Sequence, residues 1–594
     1  MIKLSDYVAR RLTEHGVRDV FMISGGGAMH LNDSVGKCKG LRYFCNHHEQ
    51  ASAIGAEGYS RVSDRLGVCV VTTGPGGTNS LTGLIGQWLD SIPALYISGQ
   101  VKFATTKASC PELGLRQLGD QEINIVDIVR PVTKHAVMLT DPYRVRYELD
   151  KAIYLATTGR PGPAWIDIPI NVQAALIDER KLPAFRPPPA RKPDLKAKAA
   201  KAAAMLKAAK RPVIIAGHGI RIAGAEDEFW KLASRLGAPV LATFAGFDIV
   251  PGSSPLYCGR IGTVGTRGGN FSLQNADLVL SLASRNNVRQ ASYDWANFAH
   301  RAKKIVVDID PAELAKPTVK PDLAVNADVK DFISGLLKDL PAGAGDRSDW
   351  LGWCRERSRR YPAVLPEYRG MKKLVSPYHF VEALTSALRP SVPVVAGNGS
   401  ACVCLFQAGV VHKGQRLFWN SGCASMGYDL PAAIGACLGA GRKETVCLAG
   451  DGSIMMNLQE LATVAHYRLP LKIFVLNNDG YVSIRQTQEN FFNARYVACD
   501  SGSGVGFPDF PAVGAAFGLK TEVIDSVRGM EAKIKRVMSA KGPVLCDVRL
   551  PADHKFVPKL SSEKRPDGSM VSKPLEDMWP FLDREEFRQN MIAG

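Results

Sequence analysis

No apolar run in this chain approaches the ~20 residues needed to span a bilayer. Residues 1–16 carry charges through what would be the apolar centre of a signal peptide, so secretion is not expected either. Cysteine pairing is also missing. The 13 cysteines are an odd number, and Cys402 and Cys404 have no second pair with which to complete a zinc site. They are read as reduced thiols packed in the core of a cytoplasmic protein. Acidic residues do not balance the basic ones: 74 Lys and Arg stand against 57 Asp and Glu, a net charge of +17. Such an excess suits nucleic acid or an anionic substrate, yet the chain has no basic strip interleaved with aromatics. Its lysines gather in linkers and on helix faces such as 196–210, so no nucleic-acid partner is expected. No short-period repeat appears.

What is present is an ordinary globular composition, 46% hydrophobic and 22% charged, in a chain of 594 residues that exceeds a single core. Apolar strand patterns alternate with helical ones, which predicts α/β domains with parallel sheets. The first domain, 1–180, has strands ending near Ile23 and Asn46, a strand over 67–71 before the turn 72–79, and a strand over 93–98. A proline-rich basic stretch over 182–195 reads as a linker. A middle Rossmann-like domain, 190–340, is expected from strands over 211–216, 239–243, 277–283 and 304–310. Its Gly217-His218-Gly219 turn lacks the third glycine of the phosphate-binding fingerprint and reads more readily as a tight strand-to-helix turn. A second linker is expected over 341–377, with a charged helix near 350–360, before a third domain over 376–552. The last stretch, 553–594, reads as an arm that docks on a surface or closes a site.

The stretch 450–478 organises the rest. An apolar strand breaks at Gly450-Asp451-Gly452-Ser453, a helical pattern runs over 454–467, and a second strand over 471–476 ends in Asn477-Asn478. A right-handed crossover of this length sets the two strand ends side by side, so Asp451 and Asn478 should converge. Their hard oxygens suit Mg²⁺, which would complete its shell from a phosphate group. Amides at Gly452-Ser453 and Asn398-Gly399 could hold that phosphate. Asp451 alone would be an ordinary helix cap, and Asn477-Asn478 alone a turn. Together they predict a metal-diphosphate site.

GDG, 24 residues, then NN resembles the signature of thiamine-diphosphate enzymes. Further segments match in order: His48-Glu49-Gln50 with Ala56 to Arg61, Thr73 to Asn79, Ser98-Gly99-Gln100-Val101, Asp308 to Glu313, and Met426 to Ala433. The chain is most similar to the acetolactate synthase group. That resemblance implies three doubly wound parallel-sheet domains: pyrimidine-binding, middle Rossmann-like and diphosphate-binding. It implies thiamine diphosphate and Mg²⁺, and it allows FAD in the middle domain. Asp451, Asn478 and the Gly480 carbonyl would hold the metal. Glu49 would hydrogen-bond N1′ of the aminopyrimidine and favour its imino tautomer, helped by an apolar setting that raises its pKa. Gly25, Gly26, Thr73, Asn79, Asn398, Gly399, Met426, Gly452, Ser453 and Tyr481 would contact the cofactor, with Met426 beneath it. Arg285 and Arg289 would contact flavin. The cofactor would bridge the first domain of one subunit and the third of another, which implies a homodimer or homotetramer.

Two positions depart from the group's pattern. Asp120, before Gln121, stands where the amino-acid-biosynthetic enzymes carry phenylalanine, and Thr487 stands where they carry tryptophan. Gln121 remains to touch an acceptor carbonyl or carboxylate. The expected function is a carboligase that decarboxylates a 2-keto acid, pyruvate first, and transfers the acyl-anion equivalent to a polar carbonyl acceptor, a keto sugar or sugar nucleotide. Alternatives with the same first half are a pyruvate oxidase, a 2-keto acid decarboxylase and a carbon–carbon lyase or hydrolase. A silent binding subunit is disfavoured because Glu49, Asp451 and Asn478 are all present.

Overall fold

The computed structural model describes residues 1–189, 193–341, 343, 346–564, 567–568 and 570–592. Three six-stranded sheets follow one another along the chain, and every strand pair within them is parallel. Parallel sheets are covered by helices on both faces, which is why strands such as Gly67–Val71 and Leu278–Leu282 are apolar and buried at nearly every position.

The first sheet has the spatial order Arg42–Cys45, Asp19–Met22, Gly67–Val71, Ala94–Gln100, Pro163–Pro169, His135–Met138. The third has Leu417–Phe418, Val394–Ala396, Thr445–Gly450, Leu471–Asn477, Val544–Arg549, Lys520–Ile524. Numbered along the chain within each sheet, both run 2-1-3-4-6-5, so the first and last domains are wound alike. The middle sheet, Tyr257–Arg260, Val240–Ala242, Pro212–Ala216, Leu278–Leu282, Lys303–Asp308, Leu323–Asn326, runs 3-2-1-4-5-6. That is the winding of dinucleotide-binding sheets.

Ligands of such sheets sit beyond the carboxyl ends of the strands, where the winding reverses. The reversal falls between Asp19–Met22 and Gly67–Val71 in the first sheet and between Val394–Ala396 and Thr445–Gly450 in the third. It falls between Pro212–Ala216 and Leu278–Leu282 in the middle one. Gly25 and Thr73, Gly399 and Asp451, and His218 and Asn286 therefore stand at the three reversal points.

The first and third domains of one chain share a core. Ile54, Ala56 and Tyr59 on the helix Glu49–Ser63 pack with Ala432, Ala433 and Ala436 on the helix Asp429–Gly439. The backbones approach so closely that a methyl at Gly58 would lie 2.1 Å from the Ala432 carbonyl oxygen, and one at Gly435 would lie 1.9 Å from that of Gly55. Only glycine fits at either place.

Several expectations are corrected. The stretch 454–467 is not one helix: a helix Asp451–Ile454 passes through a 3₁₀ turn Met455–Asn457 before Glu460–His466. The Asn457 side chain at this turn donates through Nδ2 to Gln50 Oε1 at 2.9 Å and to the Gly427 carbonyl at 2.7 Å, tying the turn to the first domain and to the Met426 loop. The stretch 341–377 is not a free linker. Its helix Ser348–Arg360 docks on the middle domain, with Trp350 Nε1 donating to the Pro212 carbonyl at 3.0 Å and Arg347 to those of Leu236 and Leu206. Ala342, Ala344 and Gly345 of that stretch, and Ala190, Arg191 and Lys192 of the 182–195 linker, lie outside the described residues. The thiols are unpaired, but Cys45 is exposed and Cys38, Cys110 and Cys423 only half-buried, so they are not all core groups. The arm docks on the helix Arg267–Gln274, where Asn270 donates to the Leu575 carbonyl and Gln274 to Glu576. Arg565, Pro566, Ser569, Ala593 and Gly594 of the arm lie outside the described residues. Among the described residues no helix is long and apolar enough to cross a membrane.

Candidate active site

The strand Thr445–Gly450 delivers Asp451 as the first residue of a short helix, and Leu471–Asn477 ends beside it. Asp451 is 2% exposed, and its carboxylate accepts from the Asn478 and Gly480 amides through Oδ2, both at 2.9 Å. Oδ1 accepts from the Gly452 amide at 2.7 Å. Burial pushes the carboxyl up to about 6 against those three donors. The Asn478 amide oxygen faces two other acceptors, the Gly480 carbonyl at 2.9 Å and Asp451 Oδ2 at 3.0 Å. Three oxygens turned on one point repel one another unless a cation lies between them or the amide turns over. All three are hard donors, which fits Mg²⁺. No group of three or more His, Cys, Asp or Glu that could hold a metal occurs among the described residues, so an ion here would take its remaining oxygens from water or a bound ligand.

Arg485, which sequence reasoning missed, holds the turn from behind. Its guanidinium donates to the Asn478 and Asp479 carbonyls at 2.8 and 2.9 Å. The available signal was its place on the helix Val482–Phe492, two turns beyond Asn478. Gly480 has φ of +129°, and a methyl there would lie 2.0 Å from the Cys499 carbonyl oxygen, so the carbonyl-inward turn needs glycine.

Beside this point the helix Ser400–Ala408 begins, with Gly399 before it at φ of +99°. Its first N–H groups have no partner within the helix and face the open end, as a phosphate requires. Asn398 donates its side chain to the Ser425 carbonyl at 2.8 Å and so steadies the loop carrying Met426, which is half-buried. That loop is also held at Gly427, whose amide donates to Ser453 Oγ at 3.0 Å. Ser453 in turn donates to Asp429 at 2.5 Å, so its hydroxyl is committed to the protein. The Gly452 amide is likewise committed to Asp451, and the Tyr481 ring covers Gly452 so closely that a methyl there would lie 2.0 Å from it. The phosphate donors expected at 452–453 are thus fewer than those at 398–400. His554 of the arm, also missed, reaches this corner: its Nε2 is 3.4 Å from Ser400 Oγ, and burial pushes the imidazole down to about 4.

The other sheet edge carries Glu49. His48 caps the helix by accepting from the Gln50 amide at 3.0 Å, and Asn79 donates to Glu49 Oε2 at 3.0 Å. Glu49 is half-buried, so within one chain the apolar setting expected around it is not complete. Gly25 packs on Thr72, 2.4 Å from where a methyl would sit, which brings the two reversal-point turns face to face; Gly26 meets nothing. Thr73 Oγ1 donates to Gln100 Oε1 at 2.5 Å. Gln121 is exposed with φ of 59°, and its carbonyl lies against Gly74. Asp120 and, on the third domain, Thr487 are both exposed. Glu122, missed in the sequence, is buried and accepts from the Lys107 and Leu118 amides at 2.8 Å each, folding the Asp120 loop around itself.

A cavity of about 410 Å³ lies at the reversal point of the middle sheet. His218, Arg285, Asn286 and Asp308 line it, with Asp90 from the first domain and Ser421 from the third. His218 Nδ1 is buried without a partner, a polar atom that a ligand would satisfy. Gly217 and Gly219 make the tight turn expected, closed on Ala283, and the same turn walls the cavity. Arg285 lines the cavity but Arg289 does not; its guanidinium lies 4.7 Å over the Phe244 ring.

Comparison with known proteins adds three matches in this order. The model of the thiamine pyrophosphate enzyme N-terminal TPP binding domain matches residues 2–128, that of the central domain 199–336, and that of the C-terminal TPP binding domain 397–548. The acetolactate synthase large subunit of Cyanidium caldarium is 31% identical over 575 residues, covering 93% of this chain and 94% of that protein. Acetolactate synthase isozyme 1 large subunit of Escherichia coli K12 is 31% identical, covering 93% and 95%. The acetolactate synthase large subunit of Corynebacterium glutamicum is 32% identical, covering 98% and 91%.

Proposed function

Since the chain belongs to the acetolactate synthase-like family of thiamine-diphosphate-dependent enzymes, we propose that it is a carboligase that takes CO₂ from a 2-keto acid, pyruvate first. The acyl-anion equivalent then adds to the carbonyl of a second substrate. Bound thiamine diphosphate supplies the nucleophilic carbon and the electron sink for this chemistry. Asp451 and Asn478 with the Gly480 carbonyl would hold Mg²⁺, and the open amides at 398–400 would hold the diphosphate. Glu49 would hold a proton at N1′ of the aminopyrimidine, Asn79 keeps its carboxylate aimed, and Met426 would support the bound ring system.

The observation that carries this reading is the convergence of the Asn478 side-chain amide on the Gly480 carbonyl and on the buried Asp451 carboxylate, 2.9 and 3.0 Å away. A second copy of the chain completes the site. Supporting this, Glu49 is half-exposed in one chain, and Met455 and Met456, just past the Asp451 helix, are 38% and 50% exposed. The assembly is a homodimer or homotetramer in which Glu49 and Asp451 of one site come from different chains.

Asp120 and Thr487 place two exposed polar side chains where the amino-acid-biosynthetic enzymes have large rings. That favours a polar acceptor, a keto sugar or sugar nucleotide, over the housekeeping reaction. Gln121 touches the acceptor carbonyl. Arg285 and His218 would face a flavin dinucleotide in the middle cavity, which Asp90 of the first domain and Ser421 of the third also line. A second reading that would use the cavity is a pyruvate oxidase, for which a bound flavin would supply the electron acceptor.

Labelled pyruvate, thiamine diphosphate and Mg²⁺, offered with a panel of aldehydes and ketones, separate these readings by product. The carboligase is expected to put label into a new carbon–carbon bond. Label found only in acetaldehyde, or acetyl phosphate formed with peroxide, would overturn it.

A further inference from the structure

Beneath the Glu49 edge lies a chain of buried polar groups that none of the proposed steps uses. At its centre is Asp167, in the strand Pro163–Pro169 and 0% exposed. No cation pairs with it among the described residues. Its Oδ1 accepts from Ser98 Oγ at 2.6 Å and its Oδ2 from Gln100 Nε2 at 3.0 Å. Ser98 Oγ accepts from Trp165 Nε1 at 2.8 Å, and Trp165 stacks on Tyr96 with centroids 4.8 Å apart. Tyr96 donates to Gln87, and Gln87 donates to the Ala53 carbonyl, each at 2.8 Å, one turn beyond Glu49.

The other arm of the chain runs through Gln100. Its Oε1 accepts from Thr73 Oγ1 at 2.5 Å and from the Val101 amide at 3.0 Å, while its Nε2 also donates to the Ile123 carbonyl at 2.9 Å. A glutamine amide has one accepting and one donating end, and a carboxylate can only accept. Asp167 therefore acts with the Val101 amide and the Ile123 carbonyl to fix which way Gln100 faces, and it shares Gln100 Nε2 with Ile123, two residues past Gln121.

The pieces tied by this chain differ in their other support. The Glu49 helix has fifteen residues of its own ladder, and the Thr73 turn is closed by Gly76, Gly77 and Thr78 amides. The 119–123 loop is tied within its own segment by the Glu122 amide to Gly119, Gln117 to the Glu122 carbonyl, and the Glu122 carboxylate on the Lys107 and Leu118 amides, while Gln100 to Ile123 ties it to the strand Ala94–Gln100. Loss of Asp167 should be felt there first.

We infer that Asp167 is a positioning residue for the acceptor: through Gln100 it sets the loop that carries Asp120 and Gln121. This rests on the carboligase reading. Asp167→Asn keeps the size of the side chain but lets it offer a donor to Gln100. The expected result is a change of less than about threefold in CO₂ release from pyruvate, with acceptor KM raised about tenfold and a larger share of the two-carbon unit leaving as free aldehyde. Gln100→Leu should behave alike, and the double variant should be no worse than either, because the two residues act as one unit. If Asp167→Asn fails to fold, Gln100→Leu alone is read the same way. Equal losses in CO₂ release and ligation, or an unchanged acceptor KM and product ratio, would overturn the inference. A wild-type protein that releases no CO₂ from pyruvate would strike the carboligase reading itself.

Discussion

Glu49→Gln protein is expected to lose about a hundredfold to ten-thousandfold in its rate of CO₂ release from pyruvate, the range general acid–base groups contribute. The change is nearly isosteric. Glutamine still accepts from Asn79, whose amide is 3.0 Å from Glu49 Oε2, and the helix cap at His48 is untouched. What disappears is a group that can hold a proton at N1′. Thiamine diphosphate affinity should therefore change little by calorimetry while single-turnover CO₂ release collapses. Normal turnover would remove Glu49 from the mechanism. A parallel loss of affinity would mean that the carboxylate serves binding.

Asp451→Asn is expected to weaken Mg²⁺-dependent thiamine diphosphate binding by about a hundredfold or more, since even groups behind a metal ligand cost ten- to a hundredfold when changed. Asparagine fits the same space, so the amides of Asn478 and Gly480 keep an acceptor at Oδ1 of the new side chain, while the only negative charge in the oxygen triangle is gone. Asp451→Ala removes the acceptor as well and leaves three N–H groups unpaired, so it should also loosen the turn. Calorimetry with and without Mg²⁺ reads the first effect, and thermal unfolding without metal reads the second. Unchanged affinity in the asparagine variant would remove Asp451 from the metal site.

The parts of this account legible in the sequence are those set by local pattern. Apolar strands such as 67–71 and 471–476 appear within a residue of their expected ends, because a parallel sheet buried on both faces demands apolar residues throughout. Asp451 and Asn478 were legible as neighbours because a right-handed crossover leaves little choice of where two strand ends lie. Of the edge strands, Arg42–Cys45 was legible and others were not. Leu323–Asn326 alternates buried and exposed residues, and Lys520–Ile524 is largely open, so neither carries the continuous apolar signal.

Groups that act across sequence distance were equally silent. His554 matters because the arm returns to Ser400, and Asp167 because Gln100 lies on the next strand. Neither of these residues is distinguished by its own neighbours in the chain. The helix expected over 454–467 failed for the same reason, since the partners of Asn457 are Gln50 and Gly427.

Mixing Glu49→Gln chains with Asp451→Asn chains tests the shared site most directly. Neither variant alone should turn over pyruvate. After co-expression or exchange of subunits, half of randomly assorted dimers are mixed, and each mixed dimer has one site built from an intact Glu49 and an intact Asp451, so about a quarter of the wild-type rate should return. Recovery to that level would place the two residues in one active site on different chains. No recovery from demonstrably mixed dimers would contradict the account.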